Sequence, residues 1–132
     1  MQATVQPISI CPQHRDAVLK GLREQWPEEY KDDDPLLDTL VLTTGGTPVG
    51  AVSVLSEVCS PEPPETWVAA LWVHPKHRRK GLATRLLTEA VVWSPHRPLY
   101  LWTEERILHE TLFALGWVCV EDGRERQVFM WR

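Results

Sequence analysis

A chain of 132 residues, 43% hydrophobic and 24% charged, has the length and composition of one globular domain with one core, which sets aside disordered and fibrous classes. A net charge of −4 sets aside binding of polyanions over the whole surface, so any affinity for phosphate must be local. Three scattered cysteines, Cys11, Cys59 and Cys119, fit neither a disulfide framework nor a metal site and predict reduced thiols.

In chain order, "ATVQPISI" alternates and predicts a first strand, placed at a sheet edge by Pro7. The N-terminal segment has no basic leader and no long apolar run, and no stretch reaches membrane-spanning length; a soluble, cytoplasmic protein is expected. "CPQHRDAVLKGLREQW" spaces Ala17, Val18, Leu22 and Trp26 as in a helix that Pro27 stops. "PEEYKDDDPLLD" predicts an acidic loop with one short helical turn. "TLVLTT" and "PVGAVSVLSEV" predict strands joined by a hairpin at Gly45-Gly46. "CSPEPPE" is a Pro-rich loop inside the domain. "TWVAALWV" is almost unbroken apolar sequence and predicts a central strand buried on both faces.

"RKGLATRLLTEAVVW" then carries Leu82, Leu86, Ala90 and Trp93 on one helical stripe, ended by Pro95. "PLYLWT" predicts a buried strand. "EERILHETLFAL" predicts a helix with two glutamates in its first turn and Gly116 at its end. "WVCVE" and "RQVFMW" flank "DG", a tight-hairpin signal. Strands alternating with helices predict a parallel step, and the hairpins predict antiparallel neighbours. The expected fold is mixed α/β, a single domain over residues 1–132 with a mixed sheet covered by helices.

The chemistry concentrates in "VHPKHRRKGLATRLL". A buried strand runs into His74-Pro75, where the proline stops pairing, and the chain turns into a helix. The first turn of a helix has unpaired amides and the positive end of the dipole. Gly81 and Ala83 let a ligand approach that backbone, and Arg78, Arg79, Lys80 and Arg85 add charge. Together they predict a phosphate or pyrophosphate site. The spacing is neither that of the triphosphate-binding loop nor that of the dinucleotide fingerprint.

"LWVHPKHRRKGLATRLL" resembles the acetyl-CoA motif of the GNAT N-acetyltransferases, Arg/Gln-x-x-Gly-x-Gly/Ala, through Arg78, Gly81 and Ala83. "LFALGW", Leu112 to Trp117, resembles the family's second motif, and the element order agrees along nearly the whole chain. The resemblance implies an α-β-α layered fold with a mostly antiparallel sheet splayed at the cofactor cleft. It implies acetyl-CoA as cosubstrate, no metal, and direct transfer of acetyl to a primary amine. The amides of Arg79, Lys80, Gly81, Leu82, Ala83 and Thr84 would hold the pyrophosphate, and Leu71, Trp72 and Val73 would pair with the pantetheine arm. An amide at Leu71 or Trp72 would polarise the thioester carbonyl.

The chain departs from the family at its acid–base positions. The central-strand glutamate of many relatives falls on Trp67 or Ala69, and their tyrosine falls on Leu112. No catalytic residue is therefore assigned. Glu57, Glu65, Glu104 and His109 are replacement candidates, though solvated side chains are the preferred reading of each. The acidic run Glu28 to Asp34 suits a cationic acceptor if it overhangs the cleft. Trp26, Trp67, Trp72 and Trp102 could line an acceptor pocket, with core packing the preferred reading. The rivals are a catalytically silent acetyl-CoA sensor and a nucleic-acid module using "KHRRK", and the second is weak because the basic charge is confined to one loop. No nucleic-acid or membrane partner is expected, and the chain would be a monomer or a homodimer.

Overall fold

A computed structural model describes residues 3–32, 36, 38–57, 65–94 and 97–132, the side chains of Ser56 and Glu57 excepted. Cys59, most of the Pro-rich loop, Asp33, Asp34, Pro95 and His96 lie outside the described residues. Seven strands form one sheet: β1 (Ala3–Pro7), β2 (Thr39–Thr44), β3 (Thr47–Glu57), β4 (Glu65–Val73), β5 (Leu99–Thr103), β6 (Val118–Asp122) and β7 (Gln127–Trp131). Their order is β1-β2-β3-β4-β5-β7-β6, with every neighbouring pair antiparallel except β4 and β5. The helices are α1 (Arg15–Gln25), α2 (Leu82–Trp93) and α3 (Ile107–Ala114).

The strand alternation divides the core between the two faces of the sheet. Leu40, Leu42, Val52, Val54, Val68 and Leu101 pack with Leu86, Leu87 and Ala90 of α2 and Leu112 of α3. Val41, Ala51 and Trp72 point the other way, onto Val18, Leu19 and Leu22 of α1. Each leucine so buried stabilises the fold by about 1.5–3 kcal/mol. Helices on both faces of a mixed sheet make the expected α-β-α fold. The parallel step follows from α2, since parallel neighbours require a crossover connection.

The local departures have local causes. The first strand stops at Pro7, and Ile8–Ile10 and Pro12–His14 form 3₁₀ turns, so α1 begins at Arg15 rather than Cys11. Its buried stripe is Val18, Leu19 and Leu22, while Ala17 is exposed. Gly21 lets α1 lie directly on the Trp72 indole, where a β-carbon would collide with the ring. On α2, Leu87 is buried and Trp93 is largely exposed, against the predicted stripe. Helix α3 begins at Ile107, so Glu104 and Glu105 precede it; the Thr103 hydroxyl accepts a hydrogen bond from the Glu105 amide at 3.0 Å. Among the described residues of the acidic segment there is a turn but no helix. The Gly45-Gly46 hairpin is tight as expected, both glycines at positive φ, whereas "DG" opens a longer loop between β6 and β7.

Candidate functional site

The basic loop is held in shape by its own polar groups. Pro75–His77 make a 3₁₀ turn in which His74 Nδ1 accepts from the Lys76 amide at 3.1 Å. Arg78 turns its guanidinium back onto the protein: Nε donates to the Val73 carbonyl at 3.0 Å and Nη2 to Gln25 Oε1 at 3.4 Å. Arg79 and Gly81 both take positive φ, 64° and 77°. Gly81 is thereby the N-cap of α2, and a β-carbon there would meet no protein atom within 4 Å. The first intrahelical bond runs from the Arg85 amide to the Gly81 carbonyl, so the amides of Leu82, Ala83 and Thr84 have no partner within the helix. These three residues line a cleft, and the first turn contains no acidic side chain. Such a terminus suits a pyrophosphate.

Beside this loop the sheet comes apart. β4 and β5 pair only at Thr66–Leu99 and Trp67–Tyr100. Beyond Trp67 the cleft-side edge of β4 has no strand partner among the described residues. The β3–β4 register also shifts, from Ser53–Ala69 to Ala51–Trp72. The extra residue is taken up at Ala70, whose φ is +52°, a conformation that costs an alanine about 1–2 kcal/mol. This bulge places Ala69 and Ala70 on the same face, that of α1, and re-aims the backbone at Leu71. Between the splayed strands lies a cleft of about 1240 Å³ that runs from Gly81, Leu82, Ala83 and Thr84 to the end of α1.

Away from the loop, the cleft opens over the α1 face of the sheet. Thr39, Ser53, Ala69, Trp67 and Glu65 lie on its floor, and Trp26, Glu29, Tyr30 and Asp38 on the side of α1. Trp67 Nε1 donates to Glu65 Oε2 at 3.2 Å, and the Trp67 ring stands 5.3 Å from that of Tyr100. The Arg126 guanidinium sits over Trp102 at 5.6 Å, and both line the opposite wall. Among the described residues, the carboxylates that line the cleft, Glu29, Asp38, Glu65, Glu104 and Glu105, are exposed. The buried polar floor between β2 and β3 is instead a hydroxyl pair, Thr39 Oγ1 and Ser53 Oγ, 2.9 Å apart.

Of the residues expected at the cofactor, Leu71, Val73, Arg78, Arg79, Gly81, Leu82, Ala83 and Thr84 line the cleft. Trp72 does not, because its side chain fills the core under α1, and Lys80 is exposed outside the lining. Glu65 and Glu104 reach the cleft; the Glu57 side chain lies outside the described residues. His109 is half-buried rather than exposed, with its ring edge-on to Phe129 and its Nε2 buried without a partner. Leu112 is fully buried in the core, and Ile107, Leu108 and Thr111 are the α3 residues that line the cleft. Of the acidic run, Glu29 lines the cleft, whereas Asp32 pairs with Arg23 on the outer side of α1. Trp26, Trp67 and Trp102 line the cleft. Cys11 is buried in the core outside the cleft lining, and burial raises the pKa of its thiol.

Sequence reasoning missed Thr39, Ser53, Asp38, Tyr30 and Arg126. The one signal was Ser53, a hydroxyl inside an otherwise apolar stretch of β3.

The sequence profile of the Acetyltransferase (GNAT) family matches residues 9–111. No curated protein matches the chain in sequence. The fold is similar to that of Arabidopsis thaliana NAA60 bound to a bisubstrate analogue, with a TM-score of 0.76, 15% identity, and 98% and 97% of the two chains covered. A GNAT-family acetyltransferase of Bacillus cereus is similar at a TM-score of 0.73 and 18% identity, covering 100% and 98%. The N-acetylglutamate synthase of Neisseria gonorrhoeae, with coenzyme A and N-acetyl-glutamate, is similar at a TM-score of 0.72 and 16% identity. All of this chain is covered in that comparison, but it spans only 35% of the synthase.

Proposed function

The chain belongs to the Acetyltransferase (GNAT) family, and on that premise we propose that it moves an acetyl group from acetyl-CoA directly to a primary amine. The observation that carries this reading is the junction of two features in one cleft. A helix N-terminus with free amides closes one end, and an unpaired strand edge runs from it to an open acceptor side.

The residues fit the cosubstrate. The amides of Leu82, Ala83 and Thr84 would hold the pyrophosphate, with Arg79 near and Arg78 fixing the loop. The open edge at Leu71 and Val73 would take the pantetheine amides as an added strand. The Leu71 amide, re-aimed by the bulge, would donate to the thioester carbonyl oxygen as charge builds there. Ala69 and Ala70 leave room for the acetyl group. A cationic acceptor is favoured by Glu29, Asp38 and Glu65 at the rim. Two structures of similar fold, Arabidopsis thaliana Naa50 and the NatC complex, were solved with a bisubstrate peptide analogue and with a peptide plus CoA, which supports an amine on a peptide.

Titration calorimetry with acetyl-CoA, followed by thiol release over a panel of amines, tests the reading. Binding with turnover of at least one amine is expected; absence of acetyl-CoA binding sinks it. A silent acetyl-CoA sensor is the second reading, favoured by Trp67 and Ala69, neither of which can take a proton. Binding without turnover on any amine would select it.

A further inference from the structure

We propose that the acceptor amine docks as its neutral free base on the Ser53–Thr39 hydroxyl pair, which selects weakly basic primary amines, such as a peptide α-amine, over lysine-type amines. This rests on the acetyltransferase reading above.

Two hydroxyls carry two hydrogens, and their mutual bond at 2.9 Å uses one. The second hydrogen and the remaining lone pairs are free for a third group. Thr39 is only 3% exposed and Ser53 only 7%, and both line the cleft. Thr39, Ser53 and Ala69 stand side by side on β2, β3 and β4 in register. Strand alternation sets all of them on the α1 face, beside the bulge. Ala69 contributes only a methyl group, so the hydroxyls face the place where the strand edge turns toward the thioester site.

A neutral primary amine attacks with its lone pair and needs acceptors for its two N–H groups. Hydroxyl oxygens serve. An ammonium ion brings a third N–H and a charge, and burying it beside hydroxyls and methyl groups is costly. Among the described residues, the cleft's carboxylates, Glu29, Asp38, Glu65, Glu104 and Glu105, are exposed at the rim. Glu65 opens β4 and Leu71 lies near its end, about 20 Å away at roughly 3.3 Å per residue. Of the cleft's other ionisable groups among the described residues, the guanidinium ions Arg78, Arg79 and Arg126 accept no proton, His77 stands on the turn before Arg78 at the α2 end, and Tyr30 lies on the side of α1. An acceptor therefore sheds its ammonium proton to water before docking. The N–C bond then forms as the C–S bond breaks, and the hydrogen lost by the nitrogen crosses the hydroxyl pair or a water to the leaving sulfur.

At pH 7 about one α-amine in seven is neutral, against roughly one lysine amine in two thousand five hundred. The test uses the full chain, saturating acetyl-CoA and two peptides of one sequence. One has a free N-terminus and no lysine; the other is N-terminally blocked and holds a single lysine. The free N-terminus should be acetylated with a kcat/KM at pH 7 at least a hundredfold higher, levelling off near the amine's own pKa, about 8. Ser53→Ala and Thr39→Val should raise that peptide's KM about tenfold or more and leave the Kd of acetyl-CoA unchanged. Ser53→Thr and Thr39→Ser, which keep a hydroxyl, should restore it. Equal or faster acetylation of the lysine peptide overturns the proposal alone, as does an unmoved acceptor KM in Ser53→Ala and Thr39→Val. Acetylation of neither peptide overturns the proposal, and the acetyltransferase reading falls with it only if no amine of the wider panel is turned over either.

Discussion

The two ends of the cleft are built from different material. At the end proposed for the cofactor the groups on offer are backbone amides on consecutive residues, Leu82 to Thr84, presented by one loop and one helix turn. At the acceptor end they are side chains drawn from β2, β3, β4 and the segment after α1, and only the fold brings them together. A backbone site depends on conformation and tolerates side-chain change wherever φ is ordinary; a side-chain site does the reverse. Gly81 and Gly46 break this comparison most sharply, because both sit at positive φ with open space around them. Gly81→Val and Gly46→Val should each cost about 1–2 kcal/mol of stability from the left-handed backbone. Gly81→Val should also weaken acetyl-CoA binding a hundredfold or more, about 2.7 kcal/mol, because it displaces the amides. Calorimetry and melting curves on the two variants check this. Equal loss of affinity in both would mean that strain, not the loop, governs binding.

The next largest effect sharpens the acceptor end. Ala69 is one of the two positions, with Trp67, on which the resemblance places the family's strand glutamate, and it stands across the strand pair from Ser53. Ala69→Glu would put a proton acceptor beside the hydroxyls, and a positioned base is worth about a hundredfold or more. With part of that lost to imperfect placement, turnover of a lysine-type amine should rise about tenfold, while acetyl-CoA affinity stays the same. Unchanged turnover of such amines would mean that deprotonation does not limit the reaction.

The same contrast explains what was legible in the sequence. The basic loop could be read as a strand-to-helix junction because its parts are contiguous: strand, proline, arginine, glycine and small residue in a single stretch. The central strand β4, the crossover α2 and the Gly45-Gly46 hairpin were legible for the same local reason, although β4 is half-exposed along the cleft rather than buried on both faces. The acceptor floor was not, since no pattern within β3 reveals that Ser53 meets Thr39 and faces Ala69; that follows from register. Trp72 packs in the core, the preferred reading, but an unbroken apolar strand hides which face each residue takes, and the bulge at Ala70 changes the alternation. The two glutamates before α3 were read as its first turn because the Thr103 hydroxyl bond, which holds the preceding turn, leaves no mark in periodicity.

Arg78 tests whether a side chain at the cofactor end acts through the backbone. Its guanidinium is tied to the Val73 carbonyl and Gln25, so its charge is partly spent on the loop. Arg78→Ala should weaken acetyl-CoA binding about threefold to tenfold. Those bonds are exposed, and exposed charged contacts contribute about 1 kcal/mol or less. Arg78→Lys should recover little, because a lysine cannot span both partners with a planar fork. Full recovery by lysine would assign the effect to charge on the phosphates instead.

The smallest effects separate two carboxylates of one acidic run. Glu29 lines the cleft, whereas Asp32 pairs with Arg23, and its carbonyl accepts from Arg15 Nη2 at 2.7 Å, on the outer side of α1. If the run acted as a diffuse acidic field, neutralising either would weaken a cationic acceptor alike. If position decides, Glu29→Gln should raise the KM of a lysine-containing peptide about twofold at low salt, and the difference should fade toward 0.5 M salt as screening shortens to a few ångströms. Asp32→Asn should leave that KM unchanged and lower the melting temperature slightly, since an exposed ion pair contributes about 0–1 kcal/mol. Equal shifts in the two variants would restore the field and remove Glu29 from the acceptor wall.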